Sequence, residues 1–140
     1  MKSLPSRRFS RFGVSRSAGR SGSTAAAQSE GGADTTVSAS QSEVTASPST
    51  ILNDGSTTAT ITVTLRNASG VPLSGKTITL SSTGSNNTIV QPGTTNGPGV
   101  ATGTIATTTA EAKTITAVSE SITVTDTATV TSTTALTPIF

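Results

Sequence analysis

Between Thr58 and Leu65 the chain alternates hydroxyl-bearing and aliphatic residues without a break, Thr-Ala-Thr-Ile-Thr-Val-Thr-Leu. Side chains of a strand point alternately to its two faces, so Ala59, Ile61, Val63 and Leu65 lie together on one side. A second alternating run, Lys76–Ser81, places Ile78 and Leu80 in the same way. Asn67, Gly70, Pro72 and Gly75 stand between the two runs. They bring the local side-chain bonding, positive φ and fixed φ that a chain reversal needs. Two strands joined by a turn and sharing one buried face make a piece of a β-sandwich.

The same signals continue along the chain. A short strand is expected at Val44–Ala46, ended by Ser47-Pro48, and a turn at Asn53-Asp54-Gly55-Ser56. Thr57–Leu65 is the longest and most regular strand, and Thr77–Ser82 follows. Residues 83–99 are loop-rich, with Thr88-Ile89-Val90 a short strand among them; Val100–Thr107, Lys113–Val118 and Ser121–Ser132 complete the set. Strands with turn signals about every 8–12 residues predict an all-β, immunoglobulin-like sandwich of about seven antiparallel strands. Threonine suits the outward positions because a β-branched side chain fits the pleated surface.

Composition sharpens this picture. Cys, His, Trp and Tyr are absent, and Phe9, Phe12 and Phe140 all lie outside the strand-patterned region. The core must therefore come from Val, Ile, Leu and Ala, which bury less area per residue than aromatics. So light a core in so small a domain predicts modest stability, and contacts with further copies in an assembly would supplement it.

Without His and Cys, neither a Ser-His-Asp nor a Cys-His arrangement can be built, and disulfides and thiolate metal sites are excluded. The seven acids show no shared spacing that would pair two for general acid–base work, so they read as solvated surface charges. Asn53-Asp54 lacks the repeated acidic ligands of a calcium loop. The glycines from Gly93 to Gly99 precede a strand and carry no following Lys, so they form a loop, not a phosphate cradle. Asn67-Ala-Ser69 and Asn86-Asn-Thr88 match the glycosylation acceptor pattern as chance matches, and neither Lys76 nor Lys113 has an evident crosslinking partner. The expectation is no catalytic residue, no metal and no cofactor.

A net charge of +2 conceals a strong asymmetry. Residues 1–20 carry six cations and no acid, whereas the remainder holds three cations against seven acids. Residues 1–36 read as an extended, Ser/Gly-rich basic arm, 37–133 as the sandwich and 134–140 as a tail. No apolar stretch of signal-peptide or membrane-spanning length occurs. Arg7, Arg8, Phe9, Arg11 and Phe12, with Arg16 and Arg20 beyond them, give the arm its chemistry. Guanidinium groups grip carboxylates or phosphates in forked geometry, and Phe fills pockets or stacks. The arm is read first as an anchor on a protein lattice such as a major capsid protein. Alternatives are a nucleic-acid contact or a solvated tail or organellar targeting peptide; no base-reading fold accompanies it.

The order of these signals resembles the bacterial immunoglobulin-like domains of the invasin/intimin group. Asn53-Asp54-Gly55 precedes the Thr-rich strand, Asn67-Ala68-Ser69-Gly70-Val71-Pro72-Leu73-Ser74-Gly75 matches the family linker, and Gly99-Val100-Ala101 opens a later strand. Asn67 stands where the family often has Asp, and Glu111-Ala112 replaces a common Gly. The resemblance covers about residues 42–132 and implies a structural or adhesive module, found in tandem on cell surfaces and also on phage virions. The first expectation is a non-enzymatic, stand-alone capsid decoration protein of a bacteriophage, located on the virion. The alternative is an adhesion or stalk module on a bacterial cell surface.

Overall fold

A computed structural model of the protein describes residues 34–136. The arm residues Arg7, Arg8, Phe9, Arg11, Phe12, Arg16 and Arg20 lie outside the described residues, as do residues 137–140 of the tail. Among those described there is no helix, and nine strands are present. They are β1 (Glu43–Ser47), β2 (Thr50–Leu52), β3 (Ala59–Thr64), β4 (Thr79–Ser82), β5 (Asn87–Val90), β6 (Val100–Thr107), β7 (Ala112–Ser119), β8 (Ile122–Thr123) and β9 (Ala128–Thr133). One sheet runs β1-β3-β6-β5; the other runs β2-β9-β7-β4, with β8 also paired to β7.

The alternation of the sequence is the alternation of burial. In β3, Ala59, Ile61 and Val63 are buried while Thr60 is exposed and Thr62 and Thr64 lie between. Ile61, Val63, Leu65, Ile105, Ile115, Val124 and Val130 form the centre of an entirely aliphatic core. Gly103 sits in the middle of β6 on the inner face, where a Cβ would collide with the Val90 carbonyl oxygen, Leu80 and Pro92. At Gly99 the backbone has φ +80°, and a Cβ there would run into the Leu65 carbonyl oxygen and the Leu73 amide nitrogen. A side chain there meets both the conformational penalty and the collision.

Nine strands stand where seven were expected, because Thr50–Leu52, beyond the expected end at Ser47-Pro48, forms a strand of its own and the last expected strand is divided. The first expected strand pairs with β3 as β1; the chain then changes sheet after Pro48 and continues as β2 along β9. Proline has no N–H to give to a ladder, which favours a break there. The β2–β9 pair is parallel, with Thr50 opposite Thr131 and Leu52 opposite Thr133, unlike the antiparallel pairing expected throughout. The last expected strand is broken too. β8 and Val124 follow β7, Val124 N–H donating to the Ala117 carbonyl, but β9 resumes two residues out of step, with Ala128 opposite Ile115. Val124 is buried and Thr125–Thr127 are exposed, so the intervening residues loop outward to meet the segment before β1.

Registers define two ends. Glu43 pairs with Thr64, Thr64 with Val100, and Thr79 with Val118; this is the proximal end, where the chain enters the sandwich past Val37. Asn87 pairs with Thr107 and Thr131 with Ala112 at the distal end, where it leaves after Thr133.

Candidate functional site

Three features are built at the ends and edges. At the proximal end, the turn after β3 is organised by Asn67, which is 3% exposed. Its Oδ1 accepts the Ser69 and Val71 amides, both at 2.9 Å, and its own amide donates to the Val71 carbonyl. A buried side chain so engaged is closed to glycosylation, which agrees with reading that match as chance. The turn lifts Val71 to the surface at 49% exposure. Beside it, Ser40, Gln41, Ser42, Glu43, Thr125 and Asp126 line an open polar cleft of about 510 Å³. Asp126 Oδ2 accepts the Val44 amide at 3.0 Å, and the Thr125 amide donates to the Ala39 carbonyl at 2.9 Å. The outward loop between β8 and β9 thus holds the chain segment that leads into β1.

At the distal end, Lys113 is fully buried although it is a lysine. Its ammonium donates to the Ser85 carbonyl at 2.7 Å and pairs with Glu111. Glu111 also accepts the Ser85 amide at 2.9 Å, so a carboxylate and an ammonium grip the two polar groups of one residue. The Lys113 hydrogen bond, helped by the Ser85 amide, holds the Glu111 carboxyl below its ordinary range. Nearby, Asp54 accepts the Thr57 amide, the Thr57 hydroxyl and the Ser56 amide, which lower its pKa to about 2. These acids organise turns.

Along one flank, the Gln91 side chain acts as a strand. Its Oε1 accepts the Leu80 amide at 2.6 Å and its Nε2 donates to the Leu80 carbonyl at 2.9 Å, covering the outer edge of β4. Thr94 then bridges to Thr77. Beyond its first residue, no strand presents a charge on an outer face. Thr45, Thr62 and Thr102 lie in one row across the first sheet, and Thr129 and Thr114 are opposite each other on the second.

Among the described residues, no group of three or more potential metal-ligating side chains comes together. The acids are separated as their spacing implied: Asp126 ties β1, Asp54 and Glu111 order distal turns, and Glu120 pairs with Lys76 at 2.7 Å. Sequence reading passed over Asp126, Lys113 and Gln91 as bonding residues. A Lys on the inward parity of β7 was the one available signal, since Lys113, Ile115 and Ala117 share a face.

The model of the bacterial Ig-like domain (group 1) matches residues 41–135. The chain belongs to this family. As a bacterial Ig-like domain it is similar to invasin, a bacterial integrin-binding protein, at 23% identity and a TM-score of 0.66 over 74% of this chain and 21% of that one. It is similar to the Yersinia pseudotuberculosis adhesin InvE at 27% identity and a TM-score of 0.64, over 75% of this chain and 30% of that one. A C-terminal intimin fragment, solved with the intimin-binding domain of the translocated intimin receptor, matches at 21% identity and a TM-score of 0.57, covering 71% and 34%. This chain therefore spans a fifth to a third of the length of those three. No match was found among curated proteins.

Proposed function

We propose that the chain is a non-enzymatic adhesion and spacer module displayed on a bacterial cell surface, with the basic arm as its docking segment. The observation that carries this reading is that the chain enters the sandwich at one end and leaves at the other. A module threaded in this way extends a protein when it is joined to others, and adds reach without adding chemistry. The adhesin neighbours, of which it spans only part, support the surface reading over the capsid-decoration expectation. Its partner class is protein, as for invasin and the intimin fragment. The arm residues Arg7, Arg8, Phe9, Arg11 and Phe12 supply forked cations and apolar anchors suited to a protein surface.

Immunolabelling of intact cells of the producing bacterium, set beside purified phage from the same culture, tests the assignment. Labelling of the cell exterior, removed by external protease, is expected. Signal confined to virions or to the cell interior overturns it.

A further inference from the structure

We propose that β2 and the last strand, β9, form a load-bearing clamp that resists tension applied along the chain. The inference rests on the spacer reading for its purpose but on the topology for its mechanics. β2 follows the incoming segment and β1, β9 precedes the outgoing segment, and β2 and β9 run parallel. Tension draws β2 toward the proximal end and β9 toward the distal end. Their ladder bonds cross the direction of pull, so they are sheared together and not opened one after another. The Thr131 amide donates to the Ser49 carbonyl at 2.8 Å and the Asn53 amide to the Thr133 carbonyl at 3.0 Å, bracketing the register. Ile51 and Ser132 are each 2% exposed and Val130 is fully buried, so this stretch of the pair is backed by the core.

A second tie joins the same two segments at the other end of the domain. Ahead of β2, the Ala39 carbonyl accepts from Thr125 and the Val44 amide donates to Asp126. Thr125 and Asp126 lie just ahead of β9, separated from it by Thr127. Incoming and outgoing segments therefore grip each other directly at both ends, and load passes between them without crossing β4, β5 or β6. A hairpin such as β7–β8, whose strands meet at the Glu120-Ser121 turn, opens bond by bond when its free ends are separated.

Single-molecule stretching of the full chain, with handles at its two termini, measures the clamp. The comparison is a variant pulled between Ala110→Cys and Thr134→Cys, both distal, which peels β9 from its end. Several-fold higher unfolding force is expected for the end-to-end pull. Asn53→Pro removes the donor to Thr133, and Asp126→Ala removes the side-chain half of the proximal tie, leaving the Thr125–Ala39 backbone bond. Each should lower the end-to-end force more than Ile105→Ala, which weakens the core at a residue whose cross-strand partners, Ala59 and Ile89, belong to neither tie. Equal forces in the two pulling directions, or an equal loss on Ile105→Ala, overturn the clamp. The measurement uses the isolated protein, so its outcome is independent of where the protein is displayed.

Discussion

Gln91 is exposed, and an exposed glutamine ordinarily changes stability by no more than about 0.5 kcal/mol when it is replaced. Here its amide makes two hydrogen bonds, at 2.6 and 2.9 Å, to the backbone of buried Leu80. A net worth of about 0.5–1.5 kcal/mol for each gives a cost of about 1–3 kcal/mol for Gln91→Ala. Water that reaches the uncovered groups moves the result toward the lower figure. Urea denaturation resolves the difference as a lower midpoint at unchanged slope. Gln91→Glu sharpens the test, because the carboxylate still accepts the Leu80 amide but faces the Leu80 carbonyl with a second acceptor. It should be at least as destabilising as Ala at neutral pH and recover as the carboxyl protonates near its ordinary value of about 4.3. If Gln91→Ala lies within about 0.5 kcal/mol of the parent protein, the edge-covering role is refuted.

Ile61 is fully buried, with Ala46 and Gly103 as its cross-strand partners, so Ile61→Ala should cost about 2–5 kcal/mol, read as a fall in melting temperature. Such a loss is a large part of the roughly 5–15 kcal/mol that holds an ordinary domain together. The Asp54 carboxyl is lowered from 3.8 to about 2, so the folded state binds its proton less readily than the unfolded chain. Its contribution is complete above 3.8 and is lost as pH falls toward 2; Asp54→Asn should flatten the dependence of the urea midpoint on pH in that window.

What the sequence made legible was whatever period two controls. The inward set Ala59, Ile61 and Val63, the Asn67–Gly75 turn and the aliphatic character of the core can all be read from alternation and turn residues alone. The change of sheet was not legible, because alternation reports which side chains face inward and not which strand lies alongside; the inward parity shifts from Val44 and Ala46 to Ile51, which marks a break but not the new partner. The parallel β2–β9 pair was missed for that reason, although Pro48 marked the place. The break between β8 and β9 was hidden because Thr125-Asp126-Thr127 continues the hydroxyl-rich pattern on either side. The roles of Gln91, Asp126 and Lys113 depend on residues 11, 82 and 28 positions away, beyond any local pattern. The arm chemistry came from composition, and its seven residues belong to the proposal on docking.

The separation of charge from hydroxyl surface has a consequence for crowding. Charged groups lie in the loops or at strand beginnings, and the flanks between them present threonine and serine. Two such domains that approach side by side bring hydroxyl-bearing flanks together, so charge adds little at the point of contact and side-by-side packing should change little with ionic strength. Glu43, Glu120 and Asp126 lie at the proximal end, where a charged partner that comes within a Debye length, about 8 Å at physiological salt, meets acids. A brackish or dilute medium would then alter approach to this end of the sandwich more than approach to its flanks.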